Sequence, residues 1–249
     1  MNLTVLISLG RHPKSGRLML SPNDARALAV AHRLSDNPRL VHVGEASQQQ
    51  TLRQYLGLGF AAIDLIEAVP GQDICGVLIE DLRRNPCDLL LTGERAQGQD
   101  DTGLVPYILA DRLQRPLLDR VLSIDAQGQA TQFLPKGQRR VMALPAQCIA
   151  TVSENAPLEL EYVARRARQG VINVLPGNIG DCAQVYHGWQ QEPKQPGRTR
   201  LSIQSTASGW DRFAKRMNTT GGGGQVLKGS PDQGAAQVLS LLRDKKLVP

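Results

Sequence analysis

Residues 93–103, GERAQGQDDTG, combine the features of a loop that binds phosphate. Glycines let backbone N–H groups approach a ligand closely, and a helix that begins directly after the loop adds a partial positive charge at its N-terminus. Asp100 and Asp101 would repel a phosphate unless they bind its metal ion. The structural alternative is that Asp101 or Thr102 only caps a helix beginning at Gly103. For this stretch, called here the 93–103 loop, the sequence leaves both interpretations open.

Outside this loop the sequence contains no recognisable catalytic motif. It has no GxSxG and no HExxH motif, and His42, which lies within an apolar strand, is predicted to be a hydrogen-bonded core residue. The four cysteines are widely spaced without a CxxC pair, which argues against a metal site and favours reduced thiols in a cytoplasmic protein. The glycine run at 221–224 follows no strand and lacks the Lys-Ser/Thr of a Walker motif, so we interpret it as a linker.

Strand and helix patterns alternate along the first 113 residues and predict the elements that position the 93–103 loop. Such alternation is typical of a parallel sheet covered by helices on both faces. We therefore expect an α/β fold, a three-layer parallel-sheet nucleotide-binding-like domain similar to adenine nucleotide alpha hydrolases. The predicted strands are residues 3–9, 39–44, 63–66 and 88–93, and the predicted helices are residues 22–34, 47–58, 73–84 and 102–113.

Three predicted loops meet at one edge of this sheet. They are Ser8–Gly10 after the first strand, Val43–Gly44 after the second, and the 93–103 loop after the fourth. Ligands of open parallel sheets bind beyond the carboxyl ends of the strands. The sequence therefore predicts a ligand site where these loops converge.

The pattern changes in the second half of the chain. Short extended runs are predicted at residues 121–124, 130–134, 140–144 and 147–152, followed by a basic helix at 158–168 and a strand at 171–175. After residue 176 the chain is rich in Gly, Gln, Ser, Thr and Pro, with too few apolar residues for a second core. We therefore predict a domain over residues 1–176 and an arm over residues 177–249, whose last helix, at 232–248, docks on a partner.

The positive charge of the chain is concentrated in this arm. The formal net charge is +6, and residues 181–249 hold ten Lys and Arg against five Asp and Glu, a net of +5. The rest of the chain is nearly neutral, and aromatic residues make up only 4% of the sequence. A nucleic-acid binder needs a basic surface with aromatic side chains for base stacking, so this class is disfavoured. The charge indicates a protein partner instead.

The order and spacing of several stretches carry a family resemblance. They are VLISLGRHPKSGRLMLSPNDARALAVAHRL, LGLGFAAIDLIEA, CDLLLTGERAQGQDDTGLVPYILADRL, KGQRRVMALPAQCIATVSENAPL and ARRARQGVINVL. Together they resemble the beta subunit of electron-transfer flavoproteins over about residues 1–176. The resemblance implies a noncatalytic half of a heterodimer, whose alpha subunit holds most of a redox FAD. It also implies a structural AMP in this chain, or a second FAD in electron-bifurcating members. Electrons would arrive from flavin dehydrogenases of acyl-CoA or N-methylamine type and leave to a membrane quinone oxidoreductase.

The resemblance also assigns site residues. Nucleotide contacts fall on Ser8, Ser21, Pro22, Asn23, Asp24, Val43, Gly98, Gln99, Asp100, Asp101, Thr102, Gly103 and Leu104, and flavin contact falls on residues 10–17. The dehydrogenase-recognition segment falls on Leu158–Arg168, with Leu160 or Tyr162 as its anchor and Arg165 and Arg166 beside it. The chain departs from the family where Ser21 precedes Pro22 in place of the usual asparagine, and where Gly98-Gln99-Asp100 stands in place of an Asp-x-Asp pattern.

An enzyme on the same fold is the alternative. An adenine-nucleotide hydrolase or adenylating enzyme would need a metal-phosphate site, for which Asp100 and Asp101 are the candidate ligands. Magnesium-dependent turnover of ATP separates this alternative from a structural nucleotide.

Overall fold

The computed structural model describes residues 1–69, 72–97, 101–177, 210 and 230–244. The chain divides into two units, Met1–Gln190 and Gln191–Pro249, which are described separately. The predicted domain boundary between residues 176 and 177 stays a prediction.

The strands of the first unit are β1 (Leu3–Leu6), β2 (Leu9–Arg11), β3 (Leu18–Leu20), β4 (Arg39–Gly44), β5 (Ala62–Glu67), β6 (Leu89–Gly93), β7 (Leu117–Ile124), β8 (Gln129–Phe133), β9 (Arg139–Ala143), β10 (Cys148–Val152) and β11 (Val171–Leu175). Among the described residues, nine of them form one sheet in the order β11–β5–β4–β1–β6–β10–β7–β8–β9. Neighbours are parallel from β11 to β7, whereas β7, β8 and β9 are antiparallel. β2 and β3 form a separate antiparallel pair.

The helices are α1 (Pro22–Leu34), α2 (Gln49–Leu56), α3 (Ile74–Arg84), α4 (Val105–Leu113), α5 (Ala164–Gln169) and, in the second unit, α6 (Pro231–Asp244). Short 3₁₀ turns occupy Ala46–Gln48 and Pro135–Gly137. α1 begins as its sequence predicts, because the Ser21 hydroxyl accepts a hydrogen bond from the Asp24 backbone N–H and Pro22 fills the first helical position.

Two apolar clusters on opposite faces of the sheet establish the three layers. Leu89 and Leu91 of β6 share a cluster with buried residues of α1 and α2, whereas Leu90 shares the other cluster with residues of α3 and α4. Successive side chains of a strand point to opposite faces, so a continuous apolar run is what a strand buried on both sides requires. The predicted three-layer α/β fold is confirmed.

The predicted first strand, residues 3–9, is wrong in its extent. β1 ends at Leu6, and the chain enters the separate β2–β3 pair at Leu9. The backbone N–H of Ser8 donates to the Asp24 carboxylate at 2.7 Å instead of to a neighbouring strand. The side chain of Asp24, in α1, therefore binds the backbone at Ser8 in place of a neighbouring strand.

Two predicted helix starts are also wrong. α4 begins at Val105 and not at residue 102, because Asp101 and Gly103 have φ of 52° and 66°, which a right-handed helix does not allow. The segment predicted as helix from residue 158 becomes helical only at Ala164. Before it, the Val163 N–H donates to the Gly57 carbonyl at 2.8 Å, which ties the segment to the end of α2.

In the second unit, α6 is amphipathic and carries the exposed apolar side chains Val238, Leu239 and Leu241. It matches the predicted C-terminal helix as far as Asp244, and the rest of the predicted arm, apart from Gly177, Trp210 and Ser230, lies outside the described residues. In the part of the chain that the structure describes, no helix has the length and hydropathy to cross a membrane.

Candidate functional site

A cavity of about 150 Å³ lies beyond the carboxyl ends of β1, β4 and β6. Residues from the ends of these strands, from the 93–103 loop and from the first turns of α3 and α4 line it. This is the sheet edge where ligands of open parallel α/β folds bind. A cavity of this size accommodates one small aromatic ring system.

The lining of the cavity includes a set of apolar residues, called here the apolar wall, and a set of polar residues, called here the polar end. The wall consists of Leu6, Val41, Val43, Ile74, Leu78, Val105 and Pro106. The polar end consists of Ser8, Asp24, Thr92, Arg95, Asp101, Thr102 and Gly103. Apolar walls with a few convergent polar groups are typical of sites for small organic ligands and cofactors.

At the polar end, the N-terminus of α4 has no side-chain cap. Leu104 occupies the cap position, so neither Asp101 nor Thr102 is the cap residue of α4, although the Thr102 hydroxyl accepts a hydrogen bond from the Leu104 N–H at 3.3 Å. Gly103 lies against the Glu94 carbonyl oxygen, which a Cβ at this position would meet at 2.8 Å, and its φ of 66° is in the left-handed region that glycine favours. The loop thus brings uncapped N–H groups and the positive end of the α4 dipole to the cavity, an arrangement that suits an anion.

Arg95 is the cationic side chain at this end. Its Nε lies 3.6 Å from the Asp101 carboxylate, and its Nη2 lies 3.6 Å from the Glu154 carboxylate. The Asn23 side-chain amide donates to the Arg95 carbonyl at 3.2 Å and fixes the backbone of the loop next to α1.

Asp24 joins the ends of β1 and β6. Its Oδ2 accepts hydrogen bonds from the Ser8 backbone N–H at 2.7 Å and from the Ser8 hydroxyl at 2.6 Å, and its Oδ1 accepts from the Gly93 N–H at 3.2 Å. The carboxylate is almost completely buried. Burial raises the pKa of Asp24 to about 6, although the hydrogen bonds from Ser8, Gly93 and Ser21 act to lower it. Asp24 is therefore a buried acid that organises the polar end and titrates in a mildly acidic range.

The hydroxyl group of Tyr55, in α2, belongs to the same hydrogen-bond network as Ser8 and Asp24. It donates to the Ser8 carbonyl at 2.7 Å, accepts from the Ser21 N–H at 2.9 Å and lies 3.4 Å from Asp24 Oδ2. Burial, and next the negative charge of Asp24, raise the pKa of Tyr55 well above its ordinary value, so the hydroxyl keeps its proton.

Tyr55→Phe is expected to lower the free energy of unfolding by about 2 kcal/mol, because the buried Ser21 N–H and Ser8 carbonyl lose a hydrogen-bond partner. Urea denaturation at neutral pH measures the change. Tyr107→Phe, which removes a hydroxyl from a half-exposed ring, is the matched control and should change stability by less than about 0.5 kcal/mol. Equal midpoints for the two variants would contradict the role of Tyr55.

His42 is the hydrogen-bonded core residue that its sequence context predicts. It is 5% exposed, its Nδ1 lies 2.8 Å from the Ile7 carbonyl oxygen, and its Nε2 lies 2.9 Å from Gln48 Oε1. A backbone carbonyl only accepts, so Nδ1 carries a proton, and Nε2 of the neutral ring accepts from the Gln48 NH2 group when that amide is turned by 180°. Burial lowers the pKa of His42, and the neutral ring holds β4 against β1 beside the cavity.

A comparison with characterised proteins decides the family. The electron transfer flavoprotein subunit beta of Chromohalobacter salexigens is similar to this chain, with 39% identity over 257 residues that cover 100% of the chain and 96% of the relative. No protein-family model matches the sequence. The chain belongs to the electron-transfer flavoprotein beta-subunit family. The family resemblance drawn from the sequence is confirmed.

The structure places the nucleotide-contact residues suggested by this family in three groups. Ser8, Asp24, Val43, Asp101, Thr102 and Gly103 line the cavity. Ser21, Pro22, Asn23 and Leu104 lie outside its lining, and of these Ser21 and Asn23 are buried beneath it. Gly98, Gln99 and Asp100 lie outside the described residues. Two residues of the second group support the site from α1: Asn23 donates to the Arg95 carbonyl in the 93–103 loop, and the Ser21 hydroxyl accepts from the Asp24 N–H.

The partner segment suggested by the electron-transfer flavoprotein family crosses α2. Leu160 is half-buried against the main core, whereas Tyr162 is 57% exposed with its ring packed on Gly57, where a Cβ would lie 2.2 Å from Tyr162 Cε2. Tyr162 is thus the better presented of the two candidate anchors.

Arg165 and Arg166 in α5 are exposed beside this segment. The last carbonyls of α5 are bound by Arg53 of α2, whose Nη1 donates to the carbonyls of Ala167 and Gly170 at 3.2 and 3.1 Å. The C-terminus of α5 is therefore bound by Arg53, and within the described residues Arg165 and Arg166 form no ion pair closer than 4 Å.

Several residues of the site escaped the sequence analysis. The position of Tyr55 in α2 is typical of any core residue of a helix, so its type and spacing do not indicate a site. Ile74 and Leu78 belong to α3, whose sequence pattern predicts an amphipathic helix and nothing further. Arg95 lies within the 93–103 loop, where a lone cation next to glycines was a usable signal for a phosphate contact.

Proposed function

We propose that this chain is the beta subunit of a heterodimeric electron-transfer flavoprotein and acts as an electron carrier without substrate turnover of its own. Its donors are flavin dehydrogenases of acyl-CoA or N-methylamine type, and its acceptor is a membrane quinone oxidoreductase, in the cytoplasmic compartment. The similarity to an electron transfer flavoprotein subunit beta along the whole chain carries the proposal.

The proposed structural AMP places its adenine ring in the cavity, which accommodates one small aromatic ring system, and its phosphate beside the 93–103 loop. The apolar wall suits an adenine ring, while Arg95, the Gly103 region and the uncapped start of α4 suit a phosphate. In this proposal, Val43 and Ile74 contact the base side, and Thr102 and Gly103 bind the phosphate side.

The redox FAD belongs mainly to the alpha subunit, and it supplies the electron-accepting chemistry when bound. The part of this chain is to cover the flavin with residues 10–17, which comprise the end of β2 and the turn that leads to β3. The Arg11 N–H donates to the Gln97 carbonyl at 3.3 Å and connects this turn to the 93–103 loop.

The arm over residues 177–249 binds the alpha subunit in this proposal. Exposed Val238, Leu239 and Leu241 on α6 form an apolar surface that association can bury. The basic charge of the arm favours an acidic surface on the partner.

Leu158–Arg168 is the proposed recognition segment for the donor dehydrogenase. R165A/R166A should raise the KM of the dehydrogenase for the flavoprotein by roughly tenfold at low salt and by much less at high salt, because exposed charges mainly accelerate association. The matched control, R83A/R84A, removes the same charge from the C-terminal end of α3. The assay is dye-coupled electron transfer from the dehydrogenase to the heterodimer. Equal KM values for the two double variants would contradict this assignment.

Co-expression with the alpha subunit tests the function as a whole. The expected product is a yellow heterodimer whose flavin is bleached by a flavin dehydrogenase and its substrate. A colourless chain that never associates with the alpha subunit would overturn the proposal.

An adenine-nucleotide hydrolase or adenylating enzyme is the second candidate, favoured by the Asp101 carboxylate that lines the cavity. Magnesium-dependent ATP turnover that D101N abolishes would support this enzyme. Retention of AMP without turnover would support the structural nucleotide.

A further inference from the structure

Arg95 is placed to select the ligand of the cavity. Among the described residues that line the cavity, Arg95 is the one Lys or Arg. His42 also lines the cavity, but its ring is neutral, so Arg95 supplies the positive side-chain charge of this lining. Its backbone is fixed by the hydrogen bond from Asn23 and by the packing of Gly103 against Glu94 and Arg95. The side chain of Arg95 lines the cavity, and its guanidinium lies beside Asp101, with 3.6 Å between Arg95 Nε and the Asp101 carboxylate.

The carboxylate partners of Arg95 bind it loosely. Asp101 and Glu154 both lie at 3.6 Å, and the three side chains are 43–51% exposed. Charge-assisted hydrogen bonds are normally shorter, about 2.7–2.9 Å. Arg39 provides the contrast within this chain, since it contacts Asp64 at 2.8 Å and Asp81 at 2.8 and 2.9 Å. The guanidinium of Arg39 thus forms hydrogen bonds with two carboxylates, whereas the two carboxylates nearest to Arg95 lie beyond the usual hydrogen-bonding distance.

We propose that Arg95 binds the phosphate of a nucleoside monophosphate and that Asp101 and Glu154 compete with this phosphate for the guanidinium. The inference rests on the proposed nucleotide site and adds the side chain that distinguishes a nucleotide from a nucleoside. A phosphate offers the planar fork of arginine a bidentate partner at hydrogen-bonding distance, which neither carboxylate provides here.

Competition makes two predictions of opposite sign. Loss of the Arg95 charge weakens binding of the phosphate group, whereas loss of the Glu154 charge strengthens it. Glu154 follows β10, and its backbone N–H donates to the Glu94 carboxylate at 3.2 Å, a contact that glutamine at 154 retains. E154Q therefore removes the competing charge without removing this backbone contact.

The test is calorimetric titration of the co-purified heterodimer, freed of nucleotide by dialysis against charcoal, with AMP and with adenosine. R95A should weaken AMP binding roughly 10- to 100-fold, the usual size of a lost charged hydrogen bond, and should leave adenosine within about twofold. E154Q should tighten AMP binding roughly two- to fivefold and leave adenosine unchanged. R83A, which removes an exposed charge from α3, is the control for net charge and should change neither ligand.

Each outcome separates this inference from the proposed function. AMP affinity of R95A within twofold of wild type, or weaker AMP binding by E154Q, would overturn the role of Arg95 and leave the electron-carrier function intact. Wild-type heterodimer that contains FAD but binds neither AMP nor adenosine would overturn both the inference and the nucleotide site. Failure to form a flavin-containing heterodimer would overturn the proposed function itself.

Discussion

Gly93→Ala is expected to lower the free energy of unfolding by about 3 kcal/mol and to reduce the AMP retained by the heterodimer. A Cβ at Gly93 would lie 2.4 Å from Asp24 Oδ1, 2.9 Å from Asn23 Cβ and 3.0 Å from the Asn23 carbonyl carbon. These atoms belong to the first turn of α1, which cannot withdraw without losing its contact with β6. The methyl group would also displace the acceptor of the Gly93 N–H.

Urea denaturation measures this effect, with the midpoint and slope compared between variants. Gly234→Ala is the control, since a Cβ at Gly234 meets no atom within 4 Å and alanine is favourable within a helix such as α6. Gly93→Ala protein with the midpoint and AMP content of wild type would contradict the close packing of α1 on the end of β6.

The second large effect is a pH dependence of stability that Asp24 causes. Its pKa is raised from 3.8 to about 6 in the folded protein, chiefly by burial. A carboxyl group with a raised pKa binds more protons when folded, so its favourable contribution is complete below about pH 4 and is lost as the pH rises through 6. The shift corresponds to about 3 kcal/mol.

Urea denaturation of wild type and D24N from pH 4 to pH 7.5 isolates this contribution. Relative to D24N, the wild type should lose about 2.5 kcal/mol of stability across this range, because part of the titration lies below pH 4. His42 acts in the opposite direction, because its lowered pKa costs stability as the pH falls below about 6.5, but it is common to both proteins and cancels in the difference. A stability difference that is constant with pH would contradict the buried, titrating Asp24.

The sequence was most informative where local signals and burial agree. Ser21 followed by Pro22 marks the start of α1, and the unbroken run Leu89–Leu91 indicates a strand covered on both faces. In such segments, propensity, capping and packing favour one structure, so a pattern read locally is sufficient. The same reasoning predicted a ligand site at the carboxyl ends of the strands, and the structure has a cavity at this edge.

The sequence was misleading where a distant residue determines the backbone. Ser8 leaves the sheet because Asp24, sixteen residues later, binds its N–H, and Leu158–Val163 stays outside a helix because Gly57 offers a carbonyl and a surface for Tyr162. Tyr55 is the corresponding case in the site, since its hydroxyl acquires its role only when α2 lies beneath Ser8 and Ser21. Contacts of this kind depend on the assembled fold and leave no local pattern.

The most direct test of the central claim, that this chain is the nucleotide-holding partner in a flavin-carrying pair, is acid release and chromatography of the nucleotides in the heterodimer co-purified with its alpha subunit. The account predicts one FAD and one AMP for each pair of chains. A purified chain that carries neither nucleotide and never captures the alpha subunit would contradict it.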